Sequence, residues 1–175
     1  MAENLFAGFW ARLLAALIDT GILSALSYCT FTLIEFFPFD GAELYRELIM
    51  WLSAAALWAA YQGWMETTKL QATFGKLLVG AYVTDLNGQR LPFSTAAIRC
   101  WPMYILYIVA GFEILTRGLL SVELDTTFTS ILLPIPVIAC LYIFLSPKNQ
   151  GLHDIWSGTL VLRKPTKSLP EKREL

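Results

Sequence analysis

The sequence predicts an all-α membrane protein, a four-transmembrane-helix bundle with both termini in the cytoplasm. The first observation is composition: 56% of the 175 residues are hydrophobic and 15% are charged, whereas soluble domains carry about 25% charged residues. The second is that the apolar residues fall into blocks of about 20, the length that crosses a bilayer core. The third is the distribution of Lys and Arg between the connections, which indicates the orientation.

Four apolar blocks are long enough to span the bilayer. They cover approximately residues 13–37, 48–65, 101–120 and 127–145. Glu113 and Arg117 interrupt the third block, and their i,i+4 spacing predicts that they pair on one helix face. In the fourth block, Pro134 and Pro136 each remove a backbone donor, so we expect a kink or a local break there.

The basic residues concentrate at the N-terminus, in the connection between the second and third spans, and in the C-terminal tail. The two other connections contain only Arg46 and Arg117 of the 13 Lys and Arg residues. Because positively charged residues stay in the cytoplasm, both termini are placed inside, as an even number of spans requires. The Lys-, Pro- and Glu-rich residues 164–175 predict a disordered cytoplasmic tail.

The connection between spans two and three predicts a small cytoplasmic β element. Residues 79–84 are β-branched and aromatic, which suits a strand, and Asn87-Gly88 is a strong hairpin signal because both residues tolerate positive φ. Residues 158–163 predict another short strand, which we expect to join the hairpin because an isolated hairpin is marginal in water. Ser94 is placed to cap an interfacial helix that leads into span three.

Asp19 lies inside the first apolar block, seven residues after Arg12. On a helix the two side chains share nearly one face, roughly 10 Å apart along the axis. A carboxylate in hydrocarbon is costly, so Asp19 is a candidate proton or cation site. The alternative is a salt bridge or hydrogen bond that fixes helix packing. Arg12 is either a membrane-surface anchor or a ligand, and its partner is either Asp19 or Asp154.

Each polar residue predicted on the cytoplasmic side has two interpretations, a role in binding or proton transfer and a role in packing or helix capping. His153-Asp154 suggests a proton relay or a metal site, but a lone histidine cannot form an ordinary His-rich metal site. A capping or packing role for His153 is therefore favoured. Glu66 either completes a polar cluster with Lys76 or is a solvated helix end. Gly75-Lys76 lacks the spacing of a phosphate loop and suits a short basic helix on the membrane surface.

Other classes of function find no support in the sequence. Cys29, Cys100 and Cys140 have no CxxC partner and no metal-ligand spacing, which favours packing roles. No Ser or Cys has a convincing base nearby in sequence, so we expect no enzyme activity, no cofactor and no metal. Nucleic-acid binding is not expected because a basic aromatic patch is missing.

Four motifs in order along the chain resemble the RDD family of membrane proteins. They are GFWARLL at residues 8–14 with Asp19, ATFGKLLVG at residues 72–80 followed by Val83, Asp85 and Gly88, Arg99 before the third span, and QGLHDIWSGT at residues 150–159. The resemblance implies one transmembrane domain over residues 6–163. It assigns the arginine and the two aspartates that give the family its name to Arg12, Asp19 and Asp154.

The resemblance implies a multi-pass protein of the bacterial cytoplasmic (inner) membrane, for which ion-coupled transport of protons or sodium has been proposed in some members. In this interpretation Asp19 serves the ion path. The other candidate site residues lie toward its cytoplasmic mouth: Arg12, Asp154 and His153, and secondarily Glu66, Lys76 and Arg99. Four helices enclose little room, so transport requires a homo-oligomer. The alternative is a non-catalytic subunit or assembly factor of a larger membrane complex, with the Arg and Asp residues as a structural network.

Overall fold

The computed structural model describes residues 5–38, 43–120 and 134–164, which are mostly helical with a small sheet. The elements follow one another as α1 (Phe9–Glu35), α2 (Glu43–Thr67), α3 (Phe74–Leu78), β1 (Ala81–Asp85), α4 (Phe93–Arg99), α5 (Trp101–Leu120), α6 (Pro134–Leu141) with a 3-10 turn (Tyr142–Phe144), α7 (Leu152–Ser157) and β2 (Thr159–Arg163). α1 packs against α2 and α3, and α2 packs against α4 and α5.

Two of the described helices, α1 and α5, are long and apolar enough to cross a membrane. They contain 27 and 20 residues, which at about 1.5 Å per residue is sufficient for a core of about 30 Å. α2 has 25 residues, but Trp, Tyr and Gln side chains lower the mean hydropathy of its apolar part. Pro134–Phe144 is a shorter apolar helix. The described residues thus hold two candidate spans where the sequence predicted four, and residues 127–133 of the predicted fourth span lie outside them.

The charged ends of α2 and α5 meet each other. Arg117 Nη2 in α5 lies 2.9 Å from Glu47 Oε2 in α2, so the predicted pairing of Arg117 with Glu113 is wrong. The reason is tertiary, because α2 packs along α5 and brings Glu47 within reach. The predicted kink at Pro134 and Pro136 falls at the start of α6, at the edge of the described residues.

The late strand pairs with the first one, as the sequence predicted. β1 and β2 are antiparallel, with Ala81 opposite Arg163 and Asp85 opposite Thr159. The Asn87-Gly88 turn also forms, and Gly88 adopts φ +77°. The returning strand of the predicted hairpin does not form within the described residues.

Both edges of β1 are already occupied, which explains the missing hairpin strand. β2 takes one edge. On the other edge, the backbone N–H of Val83 donates to the Gln71 carbonyl at 2.7 Å, and the Gln71 side-chain amide donates to the Val83 carbonyl at 3.0 Å. Within the described residues the returning chain contacts β1 at its last residue, where the Asp85 N–H donates to the Gln89 carbonyl at 2.9 Å and the Asp85 carbonyl accepts the Gly88 N–H at 3.2 Å.

The start of the described chain adds to the sheet beside β2. Phe6 forms a β-bridge with Leu162, and the Ala7 N–H donates to the Val161 carbonyl at 2.9 Å. Ala7 and Val161 are buried in a small core together with Ala81, Val83, Leu91 and Ala96. This core fixes α1 and α4 against the sheet.

Two predicted boundaries differ from the structure. α4 begins at Phe93 after Pro92, and no side chain caps it, so the prediction that Ser94 is the cap is wrong; proline, with its fixed φ, already turns the chain into the helix. The backbone N–H of Lys164 donates to the Gly80 carbonyl at 2.8 Å, so the predicted disordered tail does not start at residue 164. Residues 165–175 lie outside the described residues.

Candidate functional site

Five charged side chains, each from a different helix, form one buried network, which we call the ion-pair cluster. Its members are Arg12 in α1, Glu66 in α2, Lys76 in α3, Arg99 in α4 and Asp154 in α7. Both carboxylates have 0% exposure, and the Arg12 and Lys76 side chains are each 14% exposed. Charged groups buried to this extent are stable in a fold only when they are paired.

Arg99 connects the two carboxylates of the cluster. Its Nη1 donates to Glu66 Oε1 and Oε2 at 2.6 and 2.8 Å, and its Nε and Nη2 lie 2.9 and 2.7 Å from Asp154 Oδ1. Burial alone would lower the pKa of Arg99, but the two carboxylates raise it above its usual value. Lys76 Nζ contacts Glu66 Oε1 from the other side. One guanidinium therefore joins α2, α4 and α7 through charge-assisted hydrogen bonds.

Arg12 binds Asp154, one of the two partners that the sequence suggested for it. Its Nη1 donates to Asp154 Oδ2, and its Nη2 donates to the Asn149 carbonyl at 2.5 Å. Asp154 Oδ2 also accepts the N–H of Gly151 at 3.1 Å. Burial alone would raise the pKa of Asp154, but Arg99 and Arg12 hold that pKa far below its usual value. Asp154 is therefore ionised in the folded protein.

Asp19 forms a separate site on α1. Its Oδ1 accepts the Tyr61 hydroxyl at 2.6 Å and the Gly75 N–H at 2.8 Å, and its Oδ2 accepts the Thr73 hydroxyl at 2.5 Å. Asp19 is 3% exposed. No Lys, Arg or His nitrogen of the described chain lies within salt-bridge distance of it. The carboxylate is thus held by three neutral donors and no cation.

Gly75 allows α3 to approach this carboxylate. A Cβ at position 75 would overlap the backbone oxygen of Ala15 and stand 2.9 Å from Asp19 Cγ. Only a residue without a side chain permits the N–H of α3 to reach α1. Tyr61 then completes the contact, because its hydroxyl donates to Asp19 and accepts the N–H of Phe74 at 3.0 Å.

A cavity of about 320 Å³ adjoins both Asp19 and the ion-pair cluster. Its polar lining consists mainly of Arg12, Asp19, Lys76, Arg99 and His153. Most of its remaining wall is apolar and comes from α1, α2, α5 and α6. The site therefore combines several charged side chains with a largely apolar wall.

His153 lies at the edge of the cluster, with Nε2 3.4 Å from Asp154 Oδ1. Its Nδ1 is buried and has no hydrogen-bond partner among the described residues. Burial lowers the pKa of His153 to about 4, although the Asp154 carboxylate opposes this shift. The imidazole is therefore neutral at pH 7. Among the residues that the structure describes, no three His, Cys, Asp or Glu side chains group as metal ligands.

We expect the fold to lose stability in mild acid because of His153. Its pKa falls from 6.5 to about 4 on folding. The free energy of unfolding is therefore unaffected above pH 6.5, and it decreases as the pH falls from 6.5 through 4. At pH 5 the loss is about 2 kcal/mol. The apparent melting temperature in detergent at pH 7.5 and pH 5 measures it. Because the sequence has one histidine, His153→Gln should flatten the dependence, and an equal drop in both proteins would contradict the assignment.

The structure distributes the residues singled out from the sequence over two neighbouring groups. Arg12 and Asp154 meet in one network with the three secondary candidates, whereas Asp19 stands apart with neutral donors. Sequence reasoning missed the donors Tyr61 and Thr73. Thr73 lies inside the 72–80 motif, which was the one available signal for it, and Tyr61 is one of several aromatic residues in an apolar helix.

Comparison with known proteins gives one match. The model of the RDD family matches residues 6–158 of the chain, a range that includes Asp19 and every member of the ion-pair cluster. No curated protein and no solved structure matches the chain.

Proposed function

Since the chain belongs to the RDD family of membrane proteins, we propose that it exchanges protons or sodium ions across the bacterial cytoplasmic membrane, with Asp19 as the ion carrier. The observation that supports this proposal is the Asp19 carboxylate, buried beside a cavity among three neutral donors and without a cation. Binding of a proton or a cation removes the uncompensated negative charge of such a group.

The proposal includes four spans with both termini in the cytoplasm. α1 and α5 meet the length and hydropathy of membrane helices, α2 has sufficient length, and the segment that ends in α6 is the fourth. Lys76, Arg99 and the basic tail then lie on the inner side, as positively charged residues do. The ion-pair cluster would be at the cytoplasmic end of the bundle, and a homo-oligomer would provide the room that four helices lack.

The two polar groups have different roles in this proposal. The carboxylates of the ion-pair cluster are compensated by Arg12, Lys76 and Arg99, so they gain little from binding a further ion. The cluster instead holds α1 against α7, α3 against α2, and α4 against both α2 and α7. Asp19, which has no such compensation, is the group that an arriving proton or cation would neutralise.

Asp19→Asn should abolish transport while the protein stays folded, because the amide has nearly the same shape but cannot bind a proton or a cation by charge. Purified protein in proteoliposomes with an internal pH dye is exposed to sodium or potassium gradients. We expect cation-dependent proton flux in the wild type and flux at the level of protein-free liposomes in Asp19→Asn.

Glu35→Gln is the matched control for this experiment. Glu35 is an exposed carboxylate at the end of the same helix, so its neutralisation should leave the flux unchanged. Size-exclusion profiles of all three proteins establish that they are folded. Full flux in a folded Asp19→Asn protein, or no flux in the folded wild type, would refute the carrier role of Asp19.

The second candidate function is a non-catalytic subunit or assembly factor of a larger membrane complex. It is favoured by the ion-pair cluster, which joins five helices and gives every charged member a partner of opposite sign, as a structural lock would. Cross-linking in the native membrane, followed by identification of the co-purified proteins, distinguishes it from transport: a stoichiometric partner protein supports the subunit role.

A further inference from the structure

The cavity has an uneven charge distribution along its wall. Three cationic side chains line the cavity: Arg12, Lys76 and Arg99. Asp19 is the one carboxylate among the lining residues. The two carboxylates of the ion-pair cluster are fully buried behind the cations and do not line the cavity. A molecule inside the cavity therefore contacts three cationic side chains and one carboxylate.

Two of these cations keep hydrogen-bond donors free. The Lys76 ammonium has three N–H donors, and its one contact in the described part of the chain is Glu66. Arg12 has five donors and uses three of them, on Asp154 and on the carbonyls of Ala7 and Asn149. An anionic group beside Lys76 and Arg12 would therefore accept their free donors while the ion pairs of the cluster stay in place.

The apolar part of the cavity lining is suited to an alkyl chain. Its wall is formed mainly by Leu13, Ala16, Leu23, Trp58, Met103 and Ile143. The volume of about 320 Å³ lies at the lower end of ligand pockets. At about 30 Å³ for each water-sized group, it holds on the order of ten non-hydrogen atoms.

We propose that this cavity binds a single-chain anionic amphiphile. Its carboxylate or phosphate head would accept hydrogen bonds from Lys76 and Arg12, and its alkyl chain would lie along the apolar wall toward Trp58. This inference goes beyond ion exchange and holds whether or not the protein moves ions, because it rests on the charge and shape of the cavity and not on Asp19 as a carrier.

Trp58 provides a direct measurement of binding, because it lines the cavity and bromine atoms quench tryptophan fluorescence at contact distance. Purified protein in nanodiscs of neutral lipid is titrated with bromine-labelled hexyl carboxylate, hexyl phosphate and hexanol, whose size suits the cavity volume. The wild-type signal minus that of Trp58→Phe isolates the cavity from the other five tryptophans of the six in the chain. We expect saturable quenching by the carboxylate or the phosphate. The compound that binds with the higher affinity then identifies the head group of the ligand.

Three variants make the test specific. Lys76→Gln should weaken binding about tenfold, because it removes a charge-assisted contact. Ala16→Phe should block the cavity without altering any charge, whereas Ala25→Phe, an exposed alanine of the same helix outside the cavity, should bind like the wild type. Equal quenching by the uncharged hexanol, or unchanged affinity in a folded Ala16→Phe protein, would overturn the proposal.

Discussion

Replacing Arg99 by methionine is expected to destabilise the protein by about 3–5 kcal/mol, because it leaves buried carboxylates without their shared cation. Among the described residues, Arg99 alone contacts both Glu66 and Asp154, and each carboxylate has 0% exposure. Arg99→Lys should recover part of the loss, since it restores the charge but not the forked geometry that reaches both partners. The yield of monodisperse protein and its apparent melting temperature in detergent measure the effect.

Arg117→Met is the matched control, because it removes an arginine from an exposed ion pair. The Arg117 and Glu47 side chains are 52% and 45% exposed, and such pairs contribute about 0–1 kcal/mol. We therefore expect a nearly unchanged melting temperature for this variant. If Arg99→Met and Arg117→Met melted alike, the ion-pair cluster would not be the element that holds the helices together.

Gly75→Ala should cost about 3 kcal/mol, although it adds a single methyl group. The new Cβ would overlap the Ala15 backbone oxygen and stand 2.8 Å from the Ala15 carbonyl carbon. Backbone atoms cannot rotate away, so α3 must move from α1, and the N–H of residue 75 then leaves the Asp19 carboxylate. We expect a lower melting temperature together with loss of any flux that depends on Asp19.

Gly21→Ala separates this steric effect from the general effect of adding a methyl group. Gly21 lies in the same helix as Asp19, and nothing stands within 4 Å of the position that its Cβ would take. Alanine there should be neutral or should stabilise α1 by up to about 1 kcal/mol. A melting temperature for Gly75→Ala as high as that of Gly21→Ala would mean that α3 does not need its close approach to α1.

The long helices and the two strands could be predicted because their signals are local, and the strand pairing was expected because an isolated hairpin is marginal in water. Apolar length predicts α1 and α5, and β-branched runs with turn residues predict β1 and β2. The partner of Arg117 could not be predicted in the same way, because Glu47 is 70 residues away and only helix packing brings it near. The β-bridge between Phe6 and Leu162 likewise could not be predicted, because the few residues before α1 are too short to show an alternating strand pattern.

The chemistry at Asp19 was predicted only in part. Hydrophobic context marks a carboxylate as unusual, and this is visible in the sequence. Whether a neighbouring Arg12 pairs with it depends on side-chain reach, and the structure places Arg12 on Asp154 instead. The donors that hold Asp19 come from residues 42 to 56 positions later. One of them is a backbone N–H that is exposed to contact only because residue 75 is glycine.

The link between Arg12 and Asp154 joins residues 142 positions apart, and this has a consequence for biogenesis. At about 5–20 residues per second, a ribosome takes on the order of ten seconds to make the intervening chain. During that time the first helix enters the bilayer with an arginine whose carboxylate has not been synthesised. Synthesis of α7 is therefore also the step that provides the Arg12 guanidinium with its carboxylate partner. A truncated product that lacks α7 would leave the Arg12 guanidinium without this carboxylate, so the contact between α1 and α7 could not form in it.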